Sequence, residues 1–167
     1  IVGSVWAYYH FLHDRALENA GKDIVITNST DDSARNNYVG RMRDRHIPSV
    51  RNWGSQTRDA CRQVMRGKLT GADAIESKFN QLDVRLRDLI GEVNSQSAPK
   101  EFAATHRQLA ESIGNYWKAM QKTKKGASAK EADQQKRLYE EARGLLAKAD
   151  TAFKSSEKAI RRVTGQK

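Results

Sequence analysis

Between Ile75 and Val93 the apolar residues fall at Ile75, Phe79, Leu82, Leu86, Leu89, Ile90 and Val93. Steps of four and three return to one side of an α-helix, whereas a half-buried strand needs alternation by two. The same rhythm recurs at Phe102, His106, Leu109, Ile113, Tyr116 and Met120. Only a short turn containing Ser97-Ala98-Pro99 separates the two stripes. Helices joined so closely lie antiparallel, and each buries its stripe against the other and against further helices. This is the seam of a coiled-coil-like bundle, and it speaks of packing before it speaks of chemistry.

Local signals extend the pattern to five helices. The first spans residues 2–20, followed by Gly21-Lys22-Asp23 and by Ile24-Val25-Ile26-Thr27, a β-prone run too short for a sheet and read as an extended connector. The polar run Asn28 to Asp32 supplies an N-cap, with Ser29 or Thr30 accepting from free amides of the next turn. The second helix covers about 32–66 and contains Pro48, which removes a backbone hydrogen bond and predicts a kink or break near Arg45–Ile47. Gly67 closes it, and Thr70 with Asp73 opens the third. Pro99 suits a first helical position with Glu101 two residues on, opening a fourth helix over about 98–124 that Gly126 ends. Ser128 and Glu131 have capping-box spacing for a last helix over about 129–163. The expected fold is all-α: an up-down-up-down four-helix bundle over residues 28–167, with an additional N-terminal helix and connector over residues 1–27.

Composition agrees with long one-sided helices. Of 167 residues, 38% are hydrophobic and 30% charged, and Pro occurs 2 times. A mean hydropathy of -0.80 would also suit a disordered chain, but ordered stripes of this length do not belong to one. The single Cys61 cannot form an intramolecular disulfide, and its place near an apolar stripe makes it a small buried hydrophobe.

The N-terminal stretch from Ile1 is apolar for about a dozen residues and turns charged at Asp14 and Arg15. A spanning helix needs about 20 apolar residues, so this stretch does not cross a bilayer by itself. Trp6, Tyr8, Tyr9 and Phe11 sit where an aromatic belt meets water, which predicts a membrane-proximal segment, the end of an anchor or signal. The competing reading is an aromatic-rich core helix.

Charge is the strongest functional signal. The formal net charge is +10, and it is uneven. Residues 35–66 hold eight arginines and no lysine against two aspartates, whereas residues 1–34 hold two basic groups against five acidic ones. Arg35, Arg41, Arg43, Arg45, Arg51, Arg58, Arg62 and Arg66 make the second helix a cationic rod. Guanidinium forks bind carboxylate and phosphate oxygens in pairs, which suits an acidic protein partner or an anionic membrane surface. Nucleic acid is the alternative partner, but only Tyr38 and Trp53 offer stacking rings among the arginines, and no helix-turn-helix or zinc-knuckle spacing is present. The bland reading is a solvated face neutralised within the chain.

Catalytic patterns are missing from the sequence. There is no Gly-rich phosphate loop, no Gly-x-Ser-x-Gly and no His-Glu-x-x-His. His46 and His106 both fall on apolar stripes, and a bundle interior is where a cofactor would be held. Counting through the turns places them about five residues apart in level, roughly 7 Å at 1.5 Å per residue, a poor match for one shared metal. Satisfied core histidines are the favoured reading, a cofactor-holding bundle the alternative. His10 and His13 share a face but lack a third ligand.

Arg43-Asp44-Arg45-His46-Ile47-Pro48-Ser49-Val50, coming after a short apolar start, resembles the Arg-rich lead into Ile-Pro of LemA-type membrane-anchored bundles. It covers about eight of the 167 residues and the remainder departs from that pattern, so it implies no activity or site. The expectation is a non-enzymatic, membrane-adjacent, extracytoplasmic interaction or structural subunit with no cofactor and no metal. Its working face is the arginine-rich helix.

Overall fold

The computed structural model describes residues 11–22, 24–28 and 31–165. Helix α1 comprises residues 11–18, and a two-residue strand β1, Ile26–Thr27, follows. Helix α2 is Asp32–Arg41, continued through a π turn, Met42–His46, into α3, Ile47–Met65. Helix α4 is Ala72–Asn94; strand β2, Ala98–Pro99, and a 3₁₀ turn, Lys100–Phe102, lead into α5, Ala103–Ala127. The last helix, α6, is Ala132–Thr164. The chain is all-α, as the apolar stripes require. The part of the expected first helix before residue 11, with Trp6, Tyr8, Tyr9 and His10, lies outside the described residues, as do the capping candidates Ser29 and Thr30.

Sequential neighbours are antiparallel. Arg45 meets Glu92 and Arg85 stacks on Trp53 between α3 and α4. Asp83 meets Trp117 and Glu76 meets Lys124 between α4 and α5. Ser156 donates to the Thr105 carbonyl and Lys122 pairs with Glu141 between α5 and α6. Helix α5 touches α3, α4 and α6, and its stripe is the centre of the core. Phe79, Leu82, Leu86, Leu89, Ile90 and Val93 are buried, as are Phe102, His106, Leu109, Ile113, Tyr116 and Met120. Each large aliphatic or Phe side chain sealed this way is worth about 1.5–3 kcal/mol relative to exposure.

The N-terminal segment joins the same core. Leu17 is fully buried, and the α1 end lies so close to α5 that a Cβ on Gly114 would stand 2.5 Å from Ala20 Cβ and 2.7 Å from the Leu17 carbonyl. Arg87, only 8% exposed, ties the segment down: its guanidinium meets Asp14 at 2.5 Å and Asp83 at 2.6 Å, while Trp117 Nε1 donates to Asp83 at 2.8 Å. The run around Ile24–Thr27, expected to be an unpaired connector, pairs in parallel with Ala98–Pro99. The Ala98 amide donates to the Val25 carbonyl at 2.8 Å, so the otherwise open backbone of the α4–α5 connection finds a partner.

The break expected around Pro48 is the π turn just before it. Met42, His46, Val50 and Gly54 are all buried and step by four, so their stripe would drift around an unbroken α-helix by roughly 40° at every step. The wider turn absorbs that drift; Ile47 N–H reaches back five residues to the Met42 carbonyl. Pro48 follows at once, inside the continuous helical stretch, so its ring removes one backbone hydrogen bond next to the turn where the ladder is already widened.

Several helix ends differ from the sequence reading. Asp31 caps α2, accepting from Ser33 N–H at 2.9 Å. Helix α4 begins after Gly71 at φ 89°, a conformation glycine adopts without strain, so Thr70 does not cap it. Pro99 has ψ 146° and belongs to β2, so α5 starts at Ala103. Gly126 does not end α5; it lets Tyr139 pack on the helix, where a Cβ would stand 2.5 Å from the ring. Ser128 donates to the Lys124 carbonyl and closes α5, leaving Glu131 to precede α6 without a side-chain cap.

Candidate functional site: the arginine face of α3 and α6

Five of the eight arginines expected to form the rod meet carboxylates of their own chain. Arg35 Nε donates to Glu101 at 2.8 Å and Arg43 pairs with its neighbour Asp44 at 2.6 Å. Arg45 meets Glu92 at 3.0 Å. Arg51 meets Glu157, which also holds Arg161 at 3.1 Å. Arg58 Nη1 meets Asp150 at 3.2 Å. The Arg45 pair ties the π turn to α4, and the Arg51 and Arg58 pairs tie α3 to α6. Exposed pairs of this kind contribute about 0–1 kcal/mol each, so their main effect is to cancel charge.

Asp150 is the best-organised of these carboxylates. It accepts from Tyr116 Oη at 2.5 Å as well as from Arg58. Burial first, then the adjacent carboxylate, pushes the Tyr116 pKa upward, so the hydroxyl stays protonated and donating. Gly54 makes room for the ring, since a Cβ there would stand 2.5 Å from Tyr116 Cε2.

Arg41, Arg62 and Arg66 are different: none has a carboxylate partner among the described residues. Arg41 stands beside a polar groove near Gln96. Arg62 and Arg66 lie one turn apart at the C-terminal end of α3, where the helix dipole favours cations. There they line a cleft of about 350 Å³ between α3 and α6. The opposite wall carries Arg143, also without a carboxylate partner among the described residues, with Leu146, Ala147 and Asp150. Met65 from α3 and Leu146 from α6 supply its larger apolar lining. Arg143 was not among the residues singled out from the sequence, because nothing local to α6 distinguishes it from the other exposed basic residues there.

Of the interface residues expected at the N-terminus, only Phe11 lies among the described residues, where it is 62% exposed. No helix among the described residues is long and apolar enough to cross a membrane.

His46 and His106 are both buried, within electrostatic reach of one another. Tyr38 Oη lies 3.2 Å from His106 Nδ1. Burial, then the neighbouring His46, lowers the His106 pKa to about 4, and burial also lowers that of His46 despite Gln96 and Glu92 nearby. Both imidazoles are therefore neutral at pH 7. Among the described residues no group of three or more His, Cys, Asp or Glu could hold a metal ion. His13 Nδ1 lies 3.0 Å from the Arg87 carbonyl. Cys61 is sealed in the core, its thiol pushed up to about 11 by burial. No protein-family model, curated protein or solved structure matches the chain.

Proposed function

We propose that this chain is a non-enzymatic helical interaction subunit that binds an acidic protein partner through the arginines at the C-terminal end of α3 and on α6. The observation that carries this reading is the division of the cationic rod. Most of its arginines are neutralised within the chain, while Arg62 and Arg66 line one cleft with Arg143 and have no carboxylate paired to them among the described residues. Unneutralised guanidinium groups at close quarters repel one another, and a ligand carrying carboxylates removes that repulsion. The exposed Phe11 and Leu12 support a membrane-adjacent setting.

Retention on immobilised poly-L-glutamate, on phosphatidylserine vesicles and on double-stranded DNA tests the proposal at about 50 mM and about 300 mM salt. Poly-L-glutamate should be retained at the lower salt and released at the higher. Retention should fall at least tenfold in Arg62→Glu/Arg66→Glu with an unchanged circular dichroism spectrum. No retention of poly-L-glutamate, or retention of vesicles or DNA alone, would overturn it.

A further inference from the structure

We infer that the α3–α6 cleft recognises a short acidic segment with one apolar side chain at its centre, a reading that rests on the acidic-partner proposal above. Size is the first argument. A cleft of about 350 Å³ has room for one or two side chains, which suits a short segment of a partner. The lining is the second. Its larger apolar part is Leu146, 4% exposed, and the half-buried Met65, a pair in which the flexible thioether adapts to the shape of what enters. Poly-acidic sequence alone would leave that pair wet.

Charge placement is the third argument. Arg62 and Arg66 lie on one wall and Arg143 on the other, so carboxylates flanking the apolar residue meet guanidinium forks from both helices. Asp150 lines the same cleft, with Arg58 and Tyr116 as its partners. The carboxylates of the segment lie against Arg62, Arg66 and Arg143, and the apolar side chain lies over Met65 and Leu146.

Fluorescence anisotropy with labelled peptides separates this inference from the broader proposal. The probes are Glu-Glu-Leu-Glu-Glu, Glu-Glu-Ala-Glu-Glu and Gln-Gln-Leu-Gln-Gln, each with capped ends. The leucine peptide should bind about tenfold more tightly than the alanine peptide, the ratio expected for the apolar area added. The glutamine peptide should not bind. Met65→Gln should erase most of the leucine preference while keeping the alanine peptide bound. Ala147→Glu, at an exposed wall position, should weaken the leucine peptide at least tenfold without disturbing the core. Equal binding of the leucine and alanine peptides overturns the cleft inference and leaves the acidic-partner proposal standing. Failure of both peptides together with poly-L-glutamate removes both.

Discussion

Acid should destabilise this protein through His106, and the size of the effect follows from its surroundings. The ring is completely buried, with Tyr38 Oη at 3.2 Å and the second imidazole of His46 nearby. Its pKa falls from 6.5 to about 4 in the folded chain, while the unfolded chain keeps the ordinary value. Between those values the unfolded state binds a proton that the folded state refuses, so stability rises with pH through this window. The contribution is fully present above about pH 6.5, drains away as pH falls toward about 4, and changes little below that. Each tenfold difference in proton affinity is worth about 1.4 kcal/mol, which gives a loss of about 3 kcal/mol for this group alone. Against a typical domain stability of about 5–15 kcal/mol that is a large fraction. The assay is urea denaturation at several pH values for wild type and for His106→Gln, whose amide can donate to or accept from the Tyr38 hydroxyl but does not titrate. His46 and the acidic groups are common to both proteins, so the quantity to read is the difference between the two curves. Wild type should lose about 3 kcal/mol more than the variant between about pH 7 and about pH 4. Parallel curves would show that His106 is accessible to protons in the folded state and would refute the reasoning.

Three other outcomes follow from the packing. Gly54→Ala should cost about 1–3 kcal/mol despite the better helix former, because its methyl would overlap the Tyr116 ring held by Asp150; a gain in denaturation midpoint would contradict this. Asp83→Ala should cost at least about 3 kcal/mol, since it leaves the buried Arg87 with Asp14 as its carboxylate partner and deprives Trp117 Nε1 of its acceptor. A loss below about 1 kcal/mol would show that the network is not structural. Cys61 should resist an aromatic disulfide reagent at about pH 8 in the folded protein and react fully in denaturant; rapid native-state reaction would place it outside the core.

The helical stripes were legible from sequence because burial imposes them locally: every residue of the Phe102–Met120 series named from its spacing is buried. Helix ends were less legible. Ser128 has the composition of an N-cap, yet it donates to Lys124 behind it, and nothing in four residues of sequence distinguishes those two uses. The β1–β2 pairing could not be read either, since two residues carry no periodicity and their partner lies on another connection. For the arginine face, sequence supplied the rod but not its neutralisation. The carboxylates facing Arg45, Arg58 and Arg51 lie 47, 92 and 106 residues away, beyond any local pattern. For the same reason Arg143 escaped notice: its relation to Arg62 exists only once α3 and α6 lie side by side.

The π turn at Met42–His46 uncouples chain length from rotational phase at one point of the second helical stretch. Deleting a residue elsewhere in α3 would swing everything beyond it by about 100°, carrying Val50, Thr57 or Cys61 toward water and the arginines toward the core. Deleting one within the π turn would instead let the helix close to ordinary geometry, with both flanks still facing as before. The same turn holds the surplus residue today without disturbing either side. Of the positions in this stretch, the three exposed ones of the turn, Arg43 to Arg45, are where the chain can change its length by one and keep its core and the phase of its arginine face.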